Sequence, residues 1–369
     1  MSNVKNNKRG FALPLTMALV SAMVALTGLL YLAGAVFLPY QRAMILQEKV
    51  RQLALGGVQI GMSQLSRSFE PEKKADTNDA SAQKPPEPDI GPAQFLAYLL
   101  ANLYKWQTID LIKSRDGIAG QIKLCISVEE GKINLNQMYD FKNHRFIDLG
   151  SAKEGWKTVI AEIIKRIEKK MNVTGLFAPL EAFLRKRTAP LNDVTELLAI
   201  PEFGAFKNNI FYEPSLPETA ETKEKSEKNK PLYLTDIFTV ATDRPQIEPW
   251  VISDSLLTGL DLSRASLEGK NTAVLMEQTL KGFKKNSAIK DLWSSKLGKI
   301  YGKELQSLPK NIESVLSTAF EPKNFCIRVT ATSGSLMQQL CAIVERRPHA
   351  SAGQSSRLYD VVIKRLYWL

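Results

Sequence analysis

An uncharged apolar run near the N-terminus constrains this 369-residue chain more than any other feature. No Asp, Glu, Lys, Arg or His occurs between residues 10 and 41, and two basic residues, Lys8 and Arg9, stand directly before the run. About 20 apolar residues in a helix cross the hydrocarbon core of a bilayer. Residues 11–38 are therefore predicted to form a transmembrane helix.

Three kinds of segment contain such a run. A cleaved secretory signal has an apolar core of about 7 to 15 residues with a small-residue cleavage site after it. This run is longer and ends in VFLPYQRAM, which excludes a secretory signal. Two alternatives stay open: a plain membrane anchor, or a cut between Gly10 and Phe11 that removes residues 1–10 as a basic leader and keeps the helix. Glycine at the cut would let a protease approach the backbone closely.

Composition argues against two classes of function. The formal charge of +11 indicates a basic surface, but no basic stripe interleaved with aromatic residues is present, so no nucleic-acid partner is expected. His144 and His349 are the only histidines, and no G-x-S-x-G motif accompanies them. The chain is therefore not predicted to be an enzyme.

The three cysteines, Cys125, Cys326 and Cys341, form no C-x-x-C pair, which argues against a thiolate metal site. Cys326 and Cys341 lie in two β-rich runs that flank Ser333 and Gly334. Counting outward from a turn at these two residues places the cysteines opposite each other in a hairpin. They are predicted either to form a disulfide in an oxidising compartment or to remain two buried free thiols.

Helical periodicity continues beyond the membrane run, with Met44, Val50, Val58 and Leu65 among the apolar positions. The helix is therefore predicted to continue to about Phe69. The polar, proline-rich segment EPEKKADTNDASAQKPPEPDIGP follows and is typical of a disordered loop.

Strand-like segments occur on both sides of a helical block. Residues 120–138 have strand character, and three alternating segments follow residue 320. The block between them includes the amphipathic segment WKTVIAEIIKRIEKKM, and Asp193 and Glu196 have the spacing of a capping box. We predict an α+β fold with a long N-terminal transmembrane helix. An antiparallel sheet domain would comprise residues 40–145 plus 320–369, and a large all-α insertion residues 146–319.

Five segments, in chain order, resemble one protein family. KRGFALPL resembles the processing site of type IV pilin-like proteins. GKINLNQM, ELLAIPEFGA, LTDIFTV and VVIKRLYWL resemble segments of the type II secretion minor pseudopilin called general secretion pathway protein K. The resemblance implies a pilin-like sheet domain. It also implies that a prepilin peptidase cuts after Gly10 and that Phe11 becomes a methylated N-terminus.

The same resemblance implies a role, partners and a location. Proteins of this family initiate the type II secretion pseudopilus and cap its tip, which supports protein export across the outer membrane. The implied partners are other minor pseudopilins, the major pseudopilin, prepilin peptidase and the inner-membrane assembly platform. The chain would be a single-pass inner-membrane protein with its globular domain in the periplasm. Two alternatives are a minor pilin of a type IV pilus or DNA-uptake machine, and an uncleaved single-pass envelope scaffold.

Leu15 would be the fifth residue after the cut, where most pilin-like proteins carry a glutamate. Pilins tolerate a carboxylate in the bilayer because it pairs with the α-amino group of a neighbouring subunit. In the K-type family its absence is usual and fits a place at the filament tip, although a plain anchor predicts the same leucine. Small residues let helices approach closely in lipid, so three are candidate contacts: Gly28, Ala33 and Gly34.

GKINLN also has a structural interpretation of its own. Gly131 would supply a turn, Ile133 and Leu135 would point to one face of a strand, and Asn134 and Asn136 to the other. A structural role is therefore favoured over a catalytic one.

ELLAIPEFG has a faint similarity to a helix-hairpin-helix, but Glu202 and Phe203 occupy its turn, and an acid there would repel phosphate. A turn that packs two helices is the favoured interpretation.

Calcium binding is implied by the family resemblance. Glu129, Glu130, Asp140 and Asp148 could supply oxygen atoms, but no regular calcium-loop spacing is present, so no ligands are assigned.

Overall fold

The fold combines one long helix, one antiparallel sheet and a mainly helical insertion, which confirms the predicted α+β class. Helix α1 runs from Ala12 to Ser66 and so continues far beyond residue 38. Residues 67–69, at the predicted end of this helix, lie outside the described residues. The computed structural model describes residues 12–66, 102–150, 153, 155–214, 230–263, 288–309, 311–317, 322–348 and 359–369.

The sheet contains five strands in the order β1-β2-β7-β8-β9, and every neighbouring pair is antiparallel. Its strands are β1 (Gln107–Leu111), β2 (Gly120–Val128), β7 (Asn324–Ser333), β8 (Leu336–Pro348) and β9 (Tyr359–Trp368). Two further short pairs are β3 (Ile133–Asn134) with β6 (Phe238–Thr239), and β4 (Tyr139–Asp140) with β5 (Arg145–Phe146). Because β2 and β7 are neighbours in the sheet, the insertion leaves and returns at the same place.

Among the described residues, the helices outside α1 are short, with one exception, the 17-residue helix Gly155–Met171. They are α2 (Lys113–Asp116), α3 (Leu135–Met138), α4 (Gly155–Met171), α5 (Phe177–Arg185), α6 (Leu234–Ile237), α7 (Asp254–Gly259), α8 (Ile289–Leu292), α9 (Gly298–Tyr301) and α10 (Ile312–Val315). A π-helical turn, Trp293–Leu297, joins α8 to α9. Three 3₁₀ helices complete the set within the described residues: Val194–Ala199, Pro201–Phe206 and Leu305–Ser307.

The amphipathic helix α4 forms the centre of the insertion. Its buried face includes Trp156, Ile160, Ile164 and Ile167, as the helical spacing predicts. The insertion is not purely helical, because β6 lies within it and pairs in parallel with β3. This pairing ties the insertion to the GKINLN segment.

Two 3₁₀ helices form the ELLAIPEFGA segment, and they bury Leu197, Phe203 and Phe206. Asp193 begins the first of them with the predicted capping box, in which Glu196 accepts from the Asp193 amide. The segment therefore packs two short helices together.

The prediction that GKINLN forms one strand is wrong after Asn134. Only Ile133–Asn134 is extended, and α3 begins at Leu135. The Asn134 carboxamide oxygen accepts from the backbone N–H groups of Asn136 and Gln137, and asparagine is a preferred residue at this capping position. The cap ends the strand and starts the helix.

The predicted register of the cysteine hairpin is also wrong. The two-residue turn consists of Gly334 and Ser335, because Ser333 pairs with Leu336. Cys326 is therefore opposite Ile343, and Cys341 is opposite Arg328. A two-residue hairpin turn with a left-handed first position favours glycine there, and Gly334 has φ +59°.

Candidate functional site

The first half of α1 presents apolar side chains to its surroundings. Leu15, Met23 and Leu29 are each at least 60% exposed, and no charged residue interrupts this part of the helix. Within the described residues, α1 is the one helix long and apolar enough to cross a membrane. Its exposed apolar surface is therefore what a bilayer or another apolar helix would cover.

The second half of α1 packs on the sheet, where Val50, Ala54, Val58 and Leu65 are buried. Two glycines allow a close approach. A Cβ atom built on Gly57 would lie 2.5 Å from Val329 Cγ1, and one built on Gly61 would lie 2.8 Å from Ile327 Cγ2. Real Cβ atoms essentially never come this close to a neighbouring atom, so the spacing between α1 and β7 requires glycine at both positions.

A buried ion pair lies where the insertion leaves the sheet. Lys132 Nζ donates to Glu129 Oε1 at 2.5 Å, and both side chains are at most 4% exposed. Thr239 of β6 donates to the second carboxylate oxygen, Glu129 Oε2, at 2.5 Å. Burial lowers the pKa of Lys132, but the Glu129 carboxylate outweighs it, so the pKa is raised above its ordinary value. The ammonium group is therefore charged at neutral pH.

Residues of GKINLN bind several parts of the insertion. Asn134 Nδ2 donates to the carbonyl oxygen and the hydroxyl of Thr242, at 2.7 and 2.6 Å. Asn136 donates to the Leu191 carbonyl and accepts from the Leu191 amide, both at 2.8 Å. A Cβ atom built on Gly131 would lie 1.7 Å from the Val251 carbonyl oxygen, so only glycine fits there. We refer to residues 129–136 as the junction segment.

Glu130, in the same segment, is buried against the start of β7. Its Oε1 atom accepts from the amides of Lys323 and Asn324 and from Asn324 Nδ2, at 2.8 to 3.0 Å. Burial raises the pKa of Glu130 to about 7, and these three hydrogen bonds oppose the rise. The folded chain therefore binds a proton at Glu130 more tightly than the unfolded chain does.

Replacing Glu130 by glutamine is expected to flatten the pH dependence of stability. A carboxyl group whose pKa rises from 4.5 to about 7 stabilises the fold fully below about pH 4.5, and this contribution is lost as the pH rises through 7. The total loss is on the order of 3 kcal/mol.

Thermal unfolding of the full chain in detergent between pH 5 and pH 8 would measure this loss of stability. Glu130→Gln should show the smaller decrease in Tm, whereas Glu313→Gln, at an exposed helical position, should keep the wild-type slope. Equal slopes in wild type and Glu130→Gln would contradict the prediction.

A polar seam joins the insertion to the sheet face opposite α1. Arg328 of β7 donates from Nη1 to the carbonyl oxygens of Phe211 and Tyr212, at 2.9 and 2.5 Å. Asp193 accepts from Arg365 of β9 at 3.3 Å and from the hydroxyl of Tyr367. Two strands of the sheet, β7 and β9, thus bind insertion residues that lie just before and just after the ELLAIPEFGA segment.

The structure describes only some of the residues predicted to take part in processing and assembly. Gly10 and Phe11, at the predicted cut, lie outside the described residues. Leu15 is on the exposed apolar half of α1, three residues after the helix begins. Gly28 and Gly34 have no atom within 4 Å of a built Cβ, so both positions can accept a neighbouring helix, and the side chain of Ala33 is not among those described.

The acids considered for calcium are bound to protein groups instead. Asp140 accepts from the amides of Lys142 and Asn143, and Asp148 pairs with Arg145 at 3.9 Å. Glu129 and Glu130 have the buried partners described above. Across the described residues, no group of three or more His, Cys, Asp or Glu side chains could hold a metal ion. These four acids do not fit a calcium site, and His144 is exposed, whereas His349 is outside the described residues.

Sequence reasoning missed the residues that hold the junction. Lys132 is one of many charged residues in the sequence, and its spacing of three residues from Glu129 does not by itself indicate a buried pair. A glycine at position 57 of a helical pattern predicts a local loss of helix propensity, and the sequence does not show that β7 requires it. Arg328 gave no signal in the sequence, because its partners are backbone carbonyls more than a hundred residues away.

Comparison with known proteins gives a structural similarity. No family model matches the chain, and no curated protein matches it. Among solved structures, the chain is similar to a chain of the GspK–GspI–GspJ complex from the type 2 secretion system of enterotoxigenic Escherichia coli. The two share 12% sequence identity with a TM-score of 0.44, and the match covers 89% of this chain and 98% of that chain.

Proposed function

We propose that this chain is a minor pseudopilin of the K type in a type II secretion system. One observation carries the proposal: a single continuous helix, Ala12–Ser66, is apolar and exposed in its first half and packs on an antiparallel sheet in its second half. The KRGFALPL segment stands at the start of this helix. A helix of this kind can anchor a subunit in the membrane and then become the core of a fibre.

The mechanism is assembly by packing of helices. The N-terminal helix would sit in the inner membrane beside the helices of other minor pseudopilins, with the globular domain in the periplasm. In lipid, helices associate through close packing, and the open surfaces at Gly28 and Gly34 suit such contacts. Prepilin peptidase, the major pseudopilin and the inner-membrane assembly platform are the further partners of this proposal.

The position at the tip is supported by two features of the chain. Leu15 offers no carboxylate to pair with the α-amino group of a neighbouring subunit. The insertion adds bulk to the sheet on the face opposite α1, where Arg328 and Asp193 hold it. A subunit of this shape would start a fibre and leave no room for another subunit above it.

Mass spectrometry of the N-terminus tests the class of protein. The full chain isolated from membranes is expected to begin at a methylated Phe11. A Gly10→Val variant should keep the leader, because a branched side chain blocks close approach of the protease, whereas Gly28→Val should be processed normally. A wild-type chain that begins at Met1 would identify an uncleaved envelope scaffold and contradict the proposal.

Labelling of fibres tests the position at the tip. An antibody or gold label on the globular domain is expected at one end of each pseudopilus, and labels along the shaft would contradict capping. The alternative of a minor pilin in a DNA-uptake machine predicts salt-dependent DNA binding by the full chain in a gel shift. The acid Glu202 in the ELLAIPEFGA turn disfavours such binding.

A further inference from the structure

Two cysteines lie beside each other on the sheet face that carries the insertion. Cys326 of β7 and Cys341 of β8 are diagonal neighbours in the hairpin, and their Sγ atoms are 3.0 Å apart without a covalent bond. Both side chains point away from α1, since Ile327 and Val329 of β7 face that helix. A small movement of the two side chains would bring the sulfurs to the bonding distance of about 2.05 Å.

The pair lines a small cavity between the sheet and the insertion. The cavity is about 40 Å³ in volume, and the junction residues Glu129 and Lys132 line it together with Thr239 of β6. Cys326 is half-buried and Cys341 is buried. The hydrogen bond from Cys341 lowers the pKa of Cys326; burial opposes this effect, and the Lys132 ammonium adds to it. The same hydrogen bond, together with burial, raises the pKa of Cys341 well above its ordinary value.

Each cysteine belongs to a row of residues that holds the insertion. One row across the sheet runs from Arg328 through Cys341 to Tyr367, and the other from Cys326 through Ile343 to Arg365. Arg328 binds the Phe211 and Tyr212 carbonyls, whereas Arg365 and Tyr367 bind Asp193. A bond between the cysteines would join the centre of the first row to the β7 end of the second.

We propose that Cys326 and Cys341 form a disulfide that fixes the sheet surface on which the insertion is docked. The oxidant is a disulfide-bearing molecule. The Cys326 thiolate attacks one of its sulfurs, so that a mixed disulfide forms and the oxidant's other sulfur leaves as a thiolate. Cys341 then loses its proton and attacks the Cys326 sulfur, which releases the second oxidant sulfur. Two cysteine thiols are oxidised, and the oxidant's disulfide is reduced to two thiols.

The reaction can be tested on the full chain in detergent, first reduced and then incubated with oxidised glutathione. The number of cysteines that an alkylating reagent labels in denaturant is expected to fall from three to one, with Cys125 remaining, and the chain should carry no glutathione. Continued labelling of all three cysteines, or glutathione bound to both Cys326 and Cys341, would overturn the proposal. This result does not depend on the role in secretion, so the two proposals can fail separately.

Two matched cysteine variants test whether the disulfide joins Cys326 to Cys341 or involves Cys125. Cys125→Ser should close the disulfide as wild type does, because Cys125 lies one strand away on β2. Cys341→Ser should stop at a mixed disulfide between Cys326 and glutathione, since the resolving thiol is absent. Closure in Cys341→Ser through Cys125 would assign the bond to another pair and overturn the proposal.

Amide hydrogen exchange tests the effect on docking. Exchange in the segment that contains Phe211 and Tyr212 is expected to slow severalfold when the disulfide closes in wild type. The same oxidation should leave exchange there unchanged in Cys341→Ser. Equal exchange before and after closure in wild type would show that the bond does not fix the docking surface.

Discussion

Replacing Lys132 by methionine is expected to lower the free energy of unfolding by about 3–5 kcal/mol, which is the cost of leaving one member of a buried ion pair without its partner. Methionine has a similar length and fills the same space. The Glu129 carboxylate would lose its 2.5 Å contact with the ammonium group and keep the hydrogen bond from the hydroxyl of Thr239. Urea unfolding of the full chain in detergent, followed by the fluorescence of the buried Trp156 and Trp293, would measure the loss.

Two further variants distinguish the ion pair from simple packing. Lys123→Met, on a half-buried position of β2 with no ion pair in the described part of the chain, should change stability by less than about 1 kcal/mol. The double variant Glu129→Gln, Lys132→Met should recover at least half of the loss, because no buried charge then remains. If the double variant were as unstable as Lys132→Met alone, the packing of the lysine stem, and not its charge, would account for the effect.

Local patterns in the sequence predicted the parts of the fold that neighbouring residues determine. The uncharged run and its helical continuation predicted α1, the apolar face around Ile160 predicted α4, and Asp193 with Glu196 predicted a helix start. In each of these cases the residues that determine the structure lie within a few turns of each other. The alternation after residue 320 likewise predicted strands, because one face of each strand is buried.

The two wrong predictions, of the hairpin register and of the GKINLN strand, concern segments where two local structures fit the amino-acid sequence equally well. Ser333-Gly334 and Gly334-Ser335 are both turn sequences, and only the left-handed backbone of Gly334 at the first turn position decides between them. Asn134 could continue a strand or cap a helix, and its position beside Thr242 of the insertion favours the cap. The register and the cap therefore depend on contacts that no short segment contains.

The junction could not be predicted from sequence for a related reason. Its groups come from segments far apart in the chain, since Lys132 and Thr239 share the Glu129 carboxylate and Asn324 binds Glu130. A charged residue in a sequence is usually exposed, so burial of Glu129, Glu130 and Lys132 follows only when the sheet and the insertion are assembled. The same assembly brings Cys326 and Cys341 into the wall of one cavity with Lys132.

Replacing Gly57 by leucine is expected to destabilise the fold by about 3 kcal/mol, because the side chain would be forced between α1 and β7. The first added carbon alone would lie 2.5 Å from Val329 Cγ1 and 3.0 Å from Ile122 Cγ2. Valine and isoleucine side chains are stiff, so the helix has to move away from the sheet and the contacts of Val58 and Ala54 loosen with it. Thermal unfolding of the full chain in detergent, with a decrease in Tm of several degrees, would show the effect.

The neighbouring glycine provides the matched control. Gly56 has no atom within 4 Å of a built Cβ, so Gly56→Leu meets no obstacle there and gains up to about 1 kcal/mol of helix propensity. If the two glycines were merely a weak point of the helix, both substitutions would stabilise it. If Gly56→Leu stabilises the fold and Gly57→Leu destabilises it, the difference can arise only from contact between Gly57 and the sheet. The gain in helix propensity is the same at both positions. A stabilised Gly57→Leu variant would therefore show that α1 does not pack on β7 at the distance described.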